Sequence, residues 1–419
     1  MNLHFLKGLV MWYLHRPHRI RKYIRNNEKN EERIRRKEKI TVVFFASNIS
    51  MWRYQNLYEE MRKYPRYESH IVLSPMKSYT KEQNRLALDA LKKMFDERHI
   101  PYHDFDTERN IGFDVKMIDP DILFYPQPYI TVMTYERHRY YHFDNCLLAY
   151  YPYGFSLRRG SCYYDEDFHN RAWKRFYENE YTRQDCKEFS AVGDRNVEIV
   201  GHAVADVFMK SHKDVWKKQI QKKKRIIWAP HFTIFNDGWS QNTMFLEIAD
   251  SMLRIADEEK ERIQIAFKPH PRLKSELYKH PDWGKERTDK YYSKWEEMTN
   301  GQLEQGEYAD LFMTSDAMIH DSGSFAAEYM FTGKPVMYTI KDMSVLYKEA
   351  NGLGKEIYEC HYIGKDGNDI RSFITDTVIK GDDKLKERRE CIRNKYMLPP
   401  NGKTTAGNTM DIINDCFKR

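Results

Sequence analysis

The residues with the clearest capacity for chemistry form a short polar turn, Asp321, Ser322, Gly323 and Ser324. Apolar runs at 317–319 and 335–340 predict strands on either side, and the segment 325–331 predicts a helix that starts from the turn. The first turn of such a helix presents free N–H groups and the positive end of its dipole, which together bind phosphate. Because Gly323 adds no side chain that would block a close approach, the pattern predicts an anion site.

A lysine and two histidines follow two other predicted strands: Lys268 and His270 come after 263–267, and His231 comes after 225–229. Prolines flank His270 on both sides and fix its backbone. The carboxyl ends of parallel strands meet at one edge of a sheet, so we expect these side chains to face the serine-rich turn. Together they would form a pyrophosphate clamp, in which His270 donates a hydrogen bond to a phosphate oxygen or a leaving group.

Glu328 lies one turn into the predicted helix, where it can accept hydrogen bonds from ribose hydroxyls. The alternative interpretation is a capped helix between two strands with no ligand, in which Glu328 is an ordinary exposed side chain. The chain contains no GxGxxG motif, which argues against a dinucleotide oxidoreductase.

These motifs need a scaffold of parallel strands, and the hydrophobic pattern predicts one in each half of the chain. Apolar runs that alternate with amphipathic helical segments are typical of open α/β sheets covered on both faces. The predicted strands lie at 40–45, 70–73, 122–125, 146–151, 197–200, 225–229, 263–267, 317–319 and 335–340. The predicted helices lie at 51–63, 81–98, 174–190, 243–257, 298–310 and 325–331. The expected fold is α/β, with two Rossmann-like domains that face each other across a cleft.

A basic connector at 217–224 marks the boundary expected between the two halves. The predicted parts are an amphipathic basic arm at 1–38, a first Rossmann-like domain at 39–215, a second at 216–400 and a carboxyl-terminal helix at 401–419.

The amino-terminal arm carries the positive charge of the chain. Residues 1–40 hold twelve Lys or Arg against four Glu, whereas the whole chain has a net charge of only +7. The apolar segment 3–14 is too short to span a bilayer, which needs about 20 residues. Aromatic residues followed by arginines favour association with an anionic membrane surface, and the alternative is a helix packed on the body or a partner. Nucleic-acid binding is not expected, because no basic stretch with interleaved aromatic residues recurs elsewhere in the chain.

The cysteines point to a reducing compartment. Six are present without a CxxC pair or metal-ligand spacing, and the chain shows no cleavable signal sequence. We therefore expect a cytoplasmic protein without disulfides or structural zinc. The absence of an acidic metal cluster in the sequence predicts metal-independent chemistry and no cofactor beyond the substrate.

Six segments of the second half, in their order and spacing, resemble the CDP-glycerol glycerophosphotransferase family of teichoic acid polymerases and primases. They are IIWAPH at 226–231, FKPHP at 267–271, ADLFMTSD at 309–316, IHDSGSFAAEY at 319–329, GKPVMY at 333–338 and NGKTTAGNTMDIIN at 401–414. The resemblance implies GT-B architecture with an acceptor domain at 39–215 and a nucleotide-donor domain at 216–400. It also implies transfer of a polyol phosphate from a CDP-linked donor to a hydroxyl of a membrane-bound glycan or polymer, at the cytoplasmic face of the bacterial membrane.

The resemblance assigns roles to individual residues. It implies that His270 contacts the donor phosphates, that Glu328 takes the ribose position and that the turn 201–206 lies near the interdomain hinge. The residues expected to bind the donor or other substrate are Lys268, His231, Asp321, Ser322, Gly323, Ser324, Glu328 and Gly154.

The first half departs from the family pattern. Relatives place a Trp-His-Gly loop after a strand, with its histidine as base for the acceptor hydroxyl, whereas the loop here reads Pro-Tyr-Gly and holds Tyr153. A tyrosine, whose ordinary pKa is about 10, is a poor base at neutral pH. Tyr153 and His202 stand as candidate catalytic residues beside His270, and His138 and His142 are further candidates for the base.

Two other functions fit the same residues. The turn at 321–324 with Glu328 also resembles the nucleotide-binding turn of UDP-N-acetylglucosamine 2-epimerases, so a nucleotide-sugar glycosyltransferase or an epimerase-like enzyme is the first alternative. The missing histidine suggests the second, a non-catalytic nucleotide-binding subunit.

Overall fold

The computed structural model describes residues 15–129, 135–235 and 243–418, and it divides the chain into two compact units. The first unit comprises the described residues up to Gly154, then Gly160–Asp206 and the residues from Pro399 on. The second unit comprises Phe155–Arg159 and Val207–Leu398.

The first unit is built on a parallel six-stranded sheet in the order β2-β1-β5-β6-β7-β8. The strands are β1 Ile40–Ala46, β2 Tyr67–Leu73, β5 Ile122–Tyr125, β6 Leu147–Tyr150, β7 Lys174–Tyr177 and β8 Val197–Ile199, and β3 Phe105–Asp106 and β4 Ile111–Gly112 form a separate antiparallel pair. The apolar sequence of β1 is buried almost throughout, as expected for a strand covered on both faces.

Helices cover both faces of this sheet. The α-helices are Arg16–Arg35, Gln55–Met61, Lys81–Glu97, Ser161–Tyr164, Asp167–Arg171, Glu180–Phe189, Ala205–Phe208, which begins in this unit, and Thr405–Cys416. Short 3₁₀ helices lie at Ile49–Met51, Val115–Ile118, Glu136–His138, Tyr140–His142 and Pro400–Gly402.

The helix Arg16–Arg35 packs on the first unit, so this part of the predicted arm belongs to the body. Ile34 is fully buried in the core, and Asn30 Nδ2 donates to the carbonyl oxygen of Asp144 at 3.0 Å. The buried carboxylate of Asp121 pairs with Arg33 at 3.0 Å and with Lys37 at 2.9 Å. The segment 3–14, on which the membrane prediction depends most, lies outside the described residues.

The last helix, Thr405–Cys416, also belongs to the first unit and is not a separate element. Met410 and Ile413 are buried in the core of that unit, and Asp206 accepts hydrogen bonds from the backbone N–H groups of Thr405 and Ala406 at 2.6 and 2.9 Å. Gly201 has a φ of +95°, and a Cβ there would come within 2.8 Å of Pro399, so this turn requires glycine.

The second unit is built on another parallel six-stranded sheet, in the order β11-β10-β9-β12-β13-β14. Its strands are β9 Lys224–Ala229, β10 Ile263–Phe267, β11 Gly301–Leu303, β12 Ala317–His320, β13 Val336–Thr339 and β14 Tyr362–Gly364. Its α-helices are Phe245–Glu258, Leu273–Lys279, Gly284–Glu297, Ala309–Thr314, Gly323–Glu328, Ser344–Glu349, Gly352–Tyr358, Gly367–Ser372 and Lys386–Ile392, with a 3₁₀ helix at Tyr329–Thr332 and π-helices at Phe373–Ile379 and Arg393–Met397.

Aromatic residues fill one side of the second sheet. Trp228 packs against Phe245 and Phe267 with ring centroids 5.6 and 4.9 Å apart, and Trp295 lies 5.6 Å from Phe267. This packing fixes the ends of β9 and β10, from which the polar loops start.

Three predictions about elements and boundaries are wrong. Residues 174–177 form β7 and not the start of a helix, and the predicted helix 298–310 contains β11. Both strands are short and contain polar residues, so their pattern resembles that of an amphipathic helix. The boundary between the units falls at Asp206 and not in the basic connector, because Lys217 in that connector donates its backbone N–H to Gln302 at 2.7 Å.

No helix within the described residues combines the length and apolar character needed to cross a bilayer. The six cysteines are free thiols. No group of three or more His, Cys, Asp or Glu residues in the described part of the chain is arranged to hold a metal ion.

Candidate functional site

The predicted polar loops of the second unit meet at one edge of its sheet. The chain runs from β9 through β10 to β11 on one side, then returns to place β12 on the other side of β9. Such a reversal opens a crevice at the carboxyl ends of the central strands, where open α/β sheets bind ligands. His231 follows β9, His270 lies beyond β10 and Asp321 follows β12, so the three loops surround this point. We call this edge the second rim.

Asp321 joins the loops of the second rim. Its buried carboxylate accepts hydrogen bonds from the backbone N–H of His231 at 2.6 Å, the Thr243 hydroxyl at 2.6 Å and the Met244 N–H at 2.8 Å. Burial raises the pKa of Asp321 to about 6, although these three donors oppose the shift. These three hydrogen bonds give Asp321 a role in positioning the loops, and its contact with the nucleotide donor stays a prediction.

His231 and His270 form a pair of neutral imidazoles. Their ring centroids are 5.0 Å apart, and both rings lie against Phe232 at 4.4 and 4.5 Å. Burial lowers the pKa of His270 to about 3 and that of His231 to about 4, and the Arg272 cation lowers both further. His270 Nδ1 accepts the Arg272 N–H at 3.1 Å, which assigns the ring proton to Nε2. His270 can therefore donate from Nε2 to a ligand oxygen.

The serine turn starts the helix Gly323–Glu328 as predicted, but it is not capped by a side chain. Ser322 occupies the N-cap position without a cap hydrogen bond, and its hydroxyl oxygen lies 3.3 Å from that of Ser324. A Cβ on Gly323 would meet no atom within 4 Å, so no neighbouring group requires glycine here. The two hydroxyls and the first helical turn are thus arranged to receive an anion.

Lys268 and Glu328 are bound to the same loop, which follows β11. Lys268 Nζ donates to the carbonyl oxygen of Gly306 at 2.7 Å and lies 5.9 Å from the centre of the Tyr308 ring. The Tyr308 hydroxyl donates to the carboxylate of Glu328. Both charged residues are buried, and burial lowers the pKa of Lys268. The Lys268 ammonium group holds the loop through one of its three N–H donors, so its place in the phosphate clamp stays a prediction. Glu328 is buried and is therefore not the exposed side chain of the alternative interpretation.

Tyr308 is a site residue that sequence reasoning missed. It belongs to no motif, and its role becomes visible only because the loop after β11 brings it to Glu328, 20 residues away in sequence. Phe325 and Phe312 pack on its ring at 5.2 and 5.0 Å and fix its direction.

The first unit presents the loop of Tyr153 and Gly154 after β6. Tyr153 is 44% exposed, and its carbonyl oxygen accepts a hydrogen bond from Arg53 Nε at 2.9 Å. Loss of hydration raises the pKa of Tyr153, and the nearby Tyr79 adds to the shift. The prediction that Tyr153 is a poor base is consistent with this direction, because a raised pKa leaves the phenol protonated.

The histidine candidates of the first unit have structural partners. His202 is 1% exposed, its Nδ1 accepts the Val204 N–H at 3.3 Å, and burial lowers its pKa to about 3. His138 is fully buried, with the Ser74 hydroxyl and the Phe113 carbonyl oxygen at 3.0 and 2.9 Å from its two ring nitrogens. Neither His202 nor His138 therefore presents an exposed basic nitrogen. His142 lies 3.0 Å from Glu136, outside the loops that follow the parallel strands.

A sequence profile identifies the family. The profile described as CDP-Glycerol:Poly(glycerophosphate) glycerophosphotransferase matches residues 173–406, more than half of the chain. The chain belongs to this family. It is therefore a transferase, and the family uses a nucleotide-linked donor and a polymeric acceptor. This match confirms the family resemblance, and it covers the segments from 226 to 338 and the start of the segment 401–414. No curated protein sequence matches the chain.

Solved structures show the fold. The wall teichoic acid polymerase TagF is 14% identical, with 99% of this chain and 98% of that chain covered and a TM-score of 0.58. A putative UDP-N-acetylglucosamine 2-epimerase from Listeria monocytogenes is 13% identical over 91% of this chain and 97% of that chain, with a TM-score of 0.60. The Neisseria meningitidis UDP-GlcNAc 2-epimerase bound to UDP-GlcNAc is 14% identical over 91% and 100%, with a TM-score of 0.57. The predicted α/β fold with two Rossmann-like domains is confirmed.

Proposed function

We propose that the protein transfers a polyol phosphate, from CDP-glycerol or CDP-ribitol, to a hydroxyl of a teichoic-acid-like polymer or other cell-surface glycan. The observation that carries this proposal is the second rim, where a neutral imidazole pair and a serine-rich helix start are held together by one buried carboxylate. In the family to which the chain belongs, the donor is a CDP-linked polyol.

The chemistry is a displacement at phosphorus. The acceptor oxygen attacks the phosphorus atom that carries the polyol, and the bond from this phosphorus to the bridging diphosphate oxygen breaks. CMP leaves with the electrons of that bond, and the acceptor hydroxyl loses its proton. Negative charge grows on the departing phosphate, which His270 Nε2–H and the N–H groups of the first helical turn would stabilise. Ser322 and Ser324 would bind the remaining diphosphate oxygens.

Glu328 would accept hydrogen bonds from the ribose of the donor. Its carboxylate is buried and already oriented by Tyr308, so it needs little reordering when a hydroxyl arrives. Lys268 supports the same loop through Gly306.

The acceptor hydroxyl does not require a strong base in this account. Phosphoryl transfer proceeds through a loose transition state, in which the attacking oxygen forms little bond before the leaving group departs. Correct placement of the hydroxyl therefore contributes more than its deprotonation. This fits a first unit in which a tyrosine stands where relatives have a histidine.

We further propose that the enzyme acts at the cytoplasmic face of the bacterial membrane, which it meets through residues 1–38. Residues 15–26 contain five Lys or Arg and no acid, and three of these cations, Arg21, Lys22 and Arg25, are exposed on the helix Arg16–Arg35. Each cation near an anionic surface contributes about 1 kcal/mol.

Vesicle sedimentation of the full chain tests the membrane proposal. The triple variant R21Q/K22Q/R25Q should bind phosphatidylglycerol vesicles at least about tenfold more weakly, since it loses three exposed cations. The comparison triple K29Q/R36Q/K39Q removes three exposed cations from residues 29–39, where glutamates alternate with basic residues, and should lose less binding. Equal losses in both triples would contradict a contact made mainly through the acid-free stretch 15–26.

CMP release tests the main proposal. The full chain is incubated with CDP-glycerol or CDP-ribitol and a glycerol phosphate trimer that has a free terminal hydroxyl. We expect acceptor-dependent CMP release with extension of the trimer by one or more units, and we expect it to persist in EDTA. If UDP-N-acetylglucosamine is consumed instead, the enzyme is a glycosyltransferase or epimerase; if no donor is consumed although one binds, the non-catalytic alternative is correct.

A further inference from the structure

The carboxyl edge of the first sheet carries a small cluster apart from the main cores. Met51 and Met76 are buried there, and Tyr79 and Tyr129 pack against them. The cluster lies beyond the ends of β1, β2 and β5, which are adjacent strands of the sheet. This is the edge at which a second substrate would enter a Rossmann-like unit.

Asn48, just beyond β1, is held in one orientation by its carbonyl oxygen. Asn48 Oδ1 accepts the Met51 N–H at 2.9 Å and the Ser50 hydroxyl at 2.8 Å. These two donors identify the oxygen of the side-chain amide, so the other atom is the NH₂ group. The direction in which Asn48 donates is therefore fixed by the backbone turn.

The NH₂ group of Asn48 has weak partners for a buried donor. Asn48 is 7% exposed, and its Nδ2 lies 3.0 Å from Met51 Sδ, 3.2 Å from Met76 Sδ and 3.4 Å from the Tyr79 hydroxyl. Thioether sulfur is a weak acceptor, and a buried amide gains free energy when a better acceptor replaces a weak one. Gln127, beyond β5, also directs its Nε2 at Met51 Sδ, at 3.5 Å.

Two amide donors thus converge on the sulfur of a methionine, which is a flexible side chain that repacks easily. Tyrosine rings stand beside them: burial raises the pKa of Tyr129 to about 12, and the next largest contribution comes from the nearby Tyr153. Amide donors next to aromatic faces suit a ligand that has both C–H surface and hydroxyl groups, which describes a polyol or a sugar. The hydrogen-bond partners of the Asn48 amide nitrogen are uncharged, which suits a hydroxyl group of the ligand.

We propose that Asn48 and Gln127 bind the terminal polyol or sugar unit of the acceptor, whose hydroxyl oxygen displaces the Met51 sulfur from the Asn48 amide. This inference rests on the proposed function, because it takes the acceptor to be a hydroxyl-bearing polymer. It assigns Asn48 and Gln127 to acceptor positioning, in a unit where no base was found among the predicted candidates.

Asn48→Asp is the sharpest variant, because an aspartate keeps the cap oxygen and replaces the NH₂ donors with an oxygen that only accepts. It also places a negative charge in a buried site, so we expect a lower melting temperature and a KM for the glycerol phosphate trimer raised at least about tenfold. Gln127→Met removes the second amide donor without adding a charge and should raise the same KM, while the KM for CDP-glycerol stays within the range of wild type. The matched control Asn27→Asp removes an NH₂ donor from the carbonyl oxygen of Arg171, outside the cluster, and should leave the acceptor KM unchanged.

Methionine NMR gives a second readout that does not require turnover. Protein labelled with ¹³C at the methionine methyl groups is titrated with glycerol phosphate and ribitol phosphate trimers, and Met51→Leu and Met76→Leu assign the two signals. We expect saturable shifts of both signals in wild type and none in Asn48→Asp.

The two experiments separate the two proposals. If wild type turns over the trimer but Asn48→Asp leaves its KM unchanged, or if a trimer binds without moving the Met51 and Met76 signals, the acceptor assignment is wrong. The same holds if neither trimer gives saturable binding. If the methionine signals shift but no CDP-linked donor is consumed, the acceptor site stands and the proposed function fails.

Discussion

The two units share one architecture, but the loops at the carboxyl edges of their sheets carry different kinds of side chain. Each has a parallel six-stranded sheet, and in each the polar loops lie at the carboxyl ends of the central strands. The second rim offers imidazoles, serine hydroxyls and a helix start, whereas the carboxyl edge of the first sheet, which we call the first rim, offers amides, thioethers and tyrosines. This difference is the basis of our two proposals, in which the second rim would bind a charged diphosphate and the first rim an uncharged hydroxyl-bearing unit.

Histidine shows the contrast most clearly. The second unit places His231 and His270 at the rim. His270 Nδ1 accepts the backbone N–H of Arg272, which leaves Nε2 to donate to a ligand. The first unit buries His138 and His202 as structural groups. The same residue type thus serves binding in one unit and packing in the other.

Replacement of His270 by alanine should have the largest effect on activity. We expect kcat for CMP release to fall by about 10² to 10³, the range typical of a lost hydrogen-bond donor to charge that develops in the transition state. His142→Ala is the control, because its side chain pairs with Glu136 on the surface. Comparable losses in both variants would remove the distinction between the two units.

Much of the second rim could be predicted from the sequence, because its motifs are short and local. The turn at 321–324 lies between two apolar runs, and β10 lies at the residues expected for it. The carboxylate of Asp321 could not be assigned in this way, because it binds a residue 90 positions away. The contact of Lys268 with Gly306 could not be predicted for the same reason, since Gly306 lies in a loop after a strand that the pattern did not reveal.

The first rim was harder to predict, and the cause is the kind of residue it uses. Met51, Met76 and Tyr79 are ordinary core residues in sequence terms, and an asparagine between a predicted strand and a predicted helix, as Asn48 is, is typical of a helix cap. The unusual feature is the set of partners around the Asn48 amide, which only coordinates reveal.

Glu328→Gln should weaken binding of the CDP-linked donor and leave binding of the acceptor unchanged. We expect the KM for CDP-glycerol to rise about ten- to a hundredfold, because hydrogen bonds to a charged group contribute about 1.5–3 kcal/mol. Tyr308→Phe should give a smaller loss of about three- to tenfold, since it only releases the orientation of Glu328. Tyr278→Phe is the matched control, because this hydroxyl binds Asp289 on the surface. A change in the KM for the acceptor, with an unchanged KM for CDP-glycerol, would contradict the assignment of Glu328 to the donor.

Tyr153→Phe should change the kinetics less than either Glu328→Gln or Tyr308→Phe. If placement of the acceptor hydroxyl matters more than its deprotonation, loss of the phenol should lower kcat by no more than about threefold. The measurement is steady-state CMP release with saturating CDP-glycerol. A loss of 10² or more would identify Tyr153 as the base and would give the first rim a catalytic group.

The smallest expected effect is on the pH dependence of donor binding. The pKa values of His231 and His270 are lowered to about 4 and 3, so both rings stay neutral from pH 8 to pH 6. The affinity for CDP-glycerol, whose diphosphate is esterified at both ends, should therefore change by less than about threefold over this range, as measured by calorimetry. Rings with an ordinary pKa of about 6.5 would become cationic and would bind CDP-glycerol markedly more tightly at pH 6.

The same shifts predict the pH dependence of stability. Because the folded state disfavours the protonated rings, their contribution is fully present above the unfolded pKa of about 6.5 and is lost as the pH falls toward the folded values. The free energy of unfolding of wild type, measured relative to that of His231→Gln/His270→Gln, should thus decrease on acidification below pH of about 6.5. The comparison is made because Asp321, whose pKa is raised to about 6, contributes in the opposite direction in both proteins. A difference that rises in this range would show that these histidines are not buried as neutral groups.

Calorimetric titration of CDP-glycerol, CDP-ribitol and UDP-N-acetylglucosamine into wild type and His270→Ala tests the central claim most directly, namely that the second rim is a site for a CDP-linked diphosphate. The account predicts that at least one CDP-linked polyol binds, that His270→Ala weakens this binding at least about tenfold and that the UDP-sugar gives no saturable heat. Binding of the UDP-sugar alone, or CDP-polyol binding that is unchanged in His270→Ala, would contradict it.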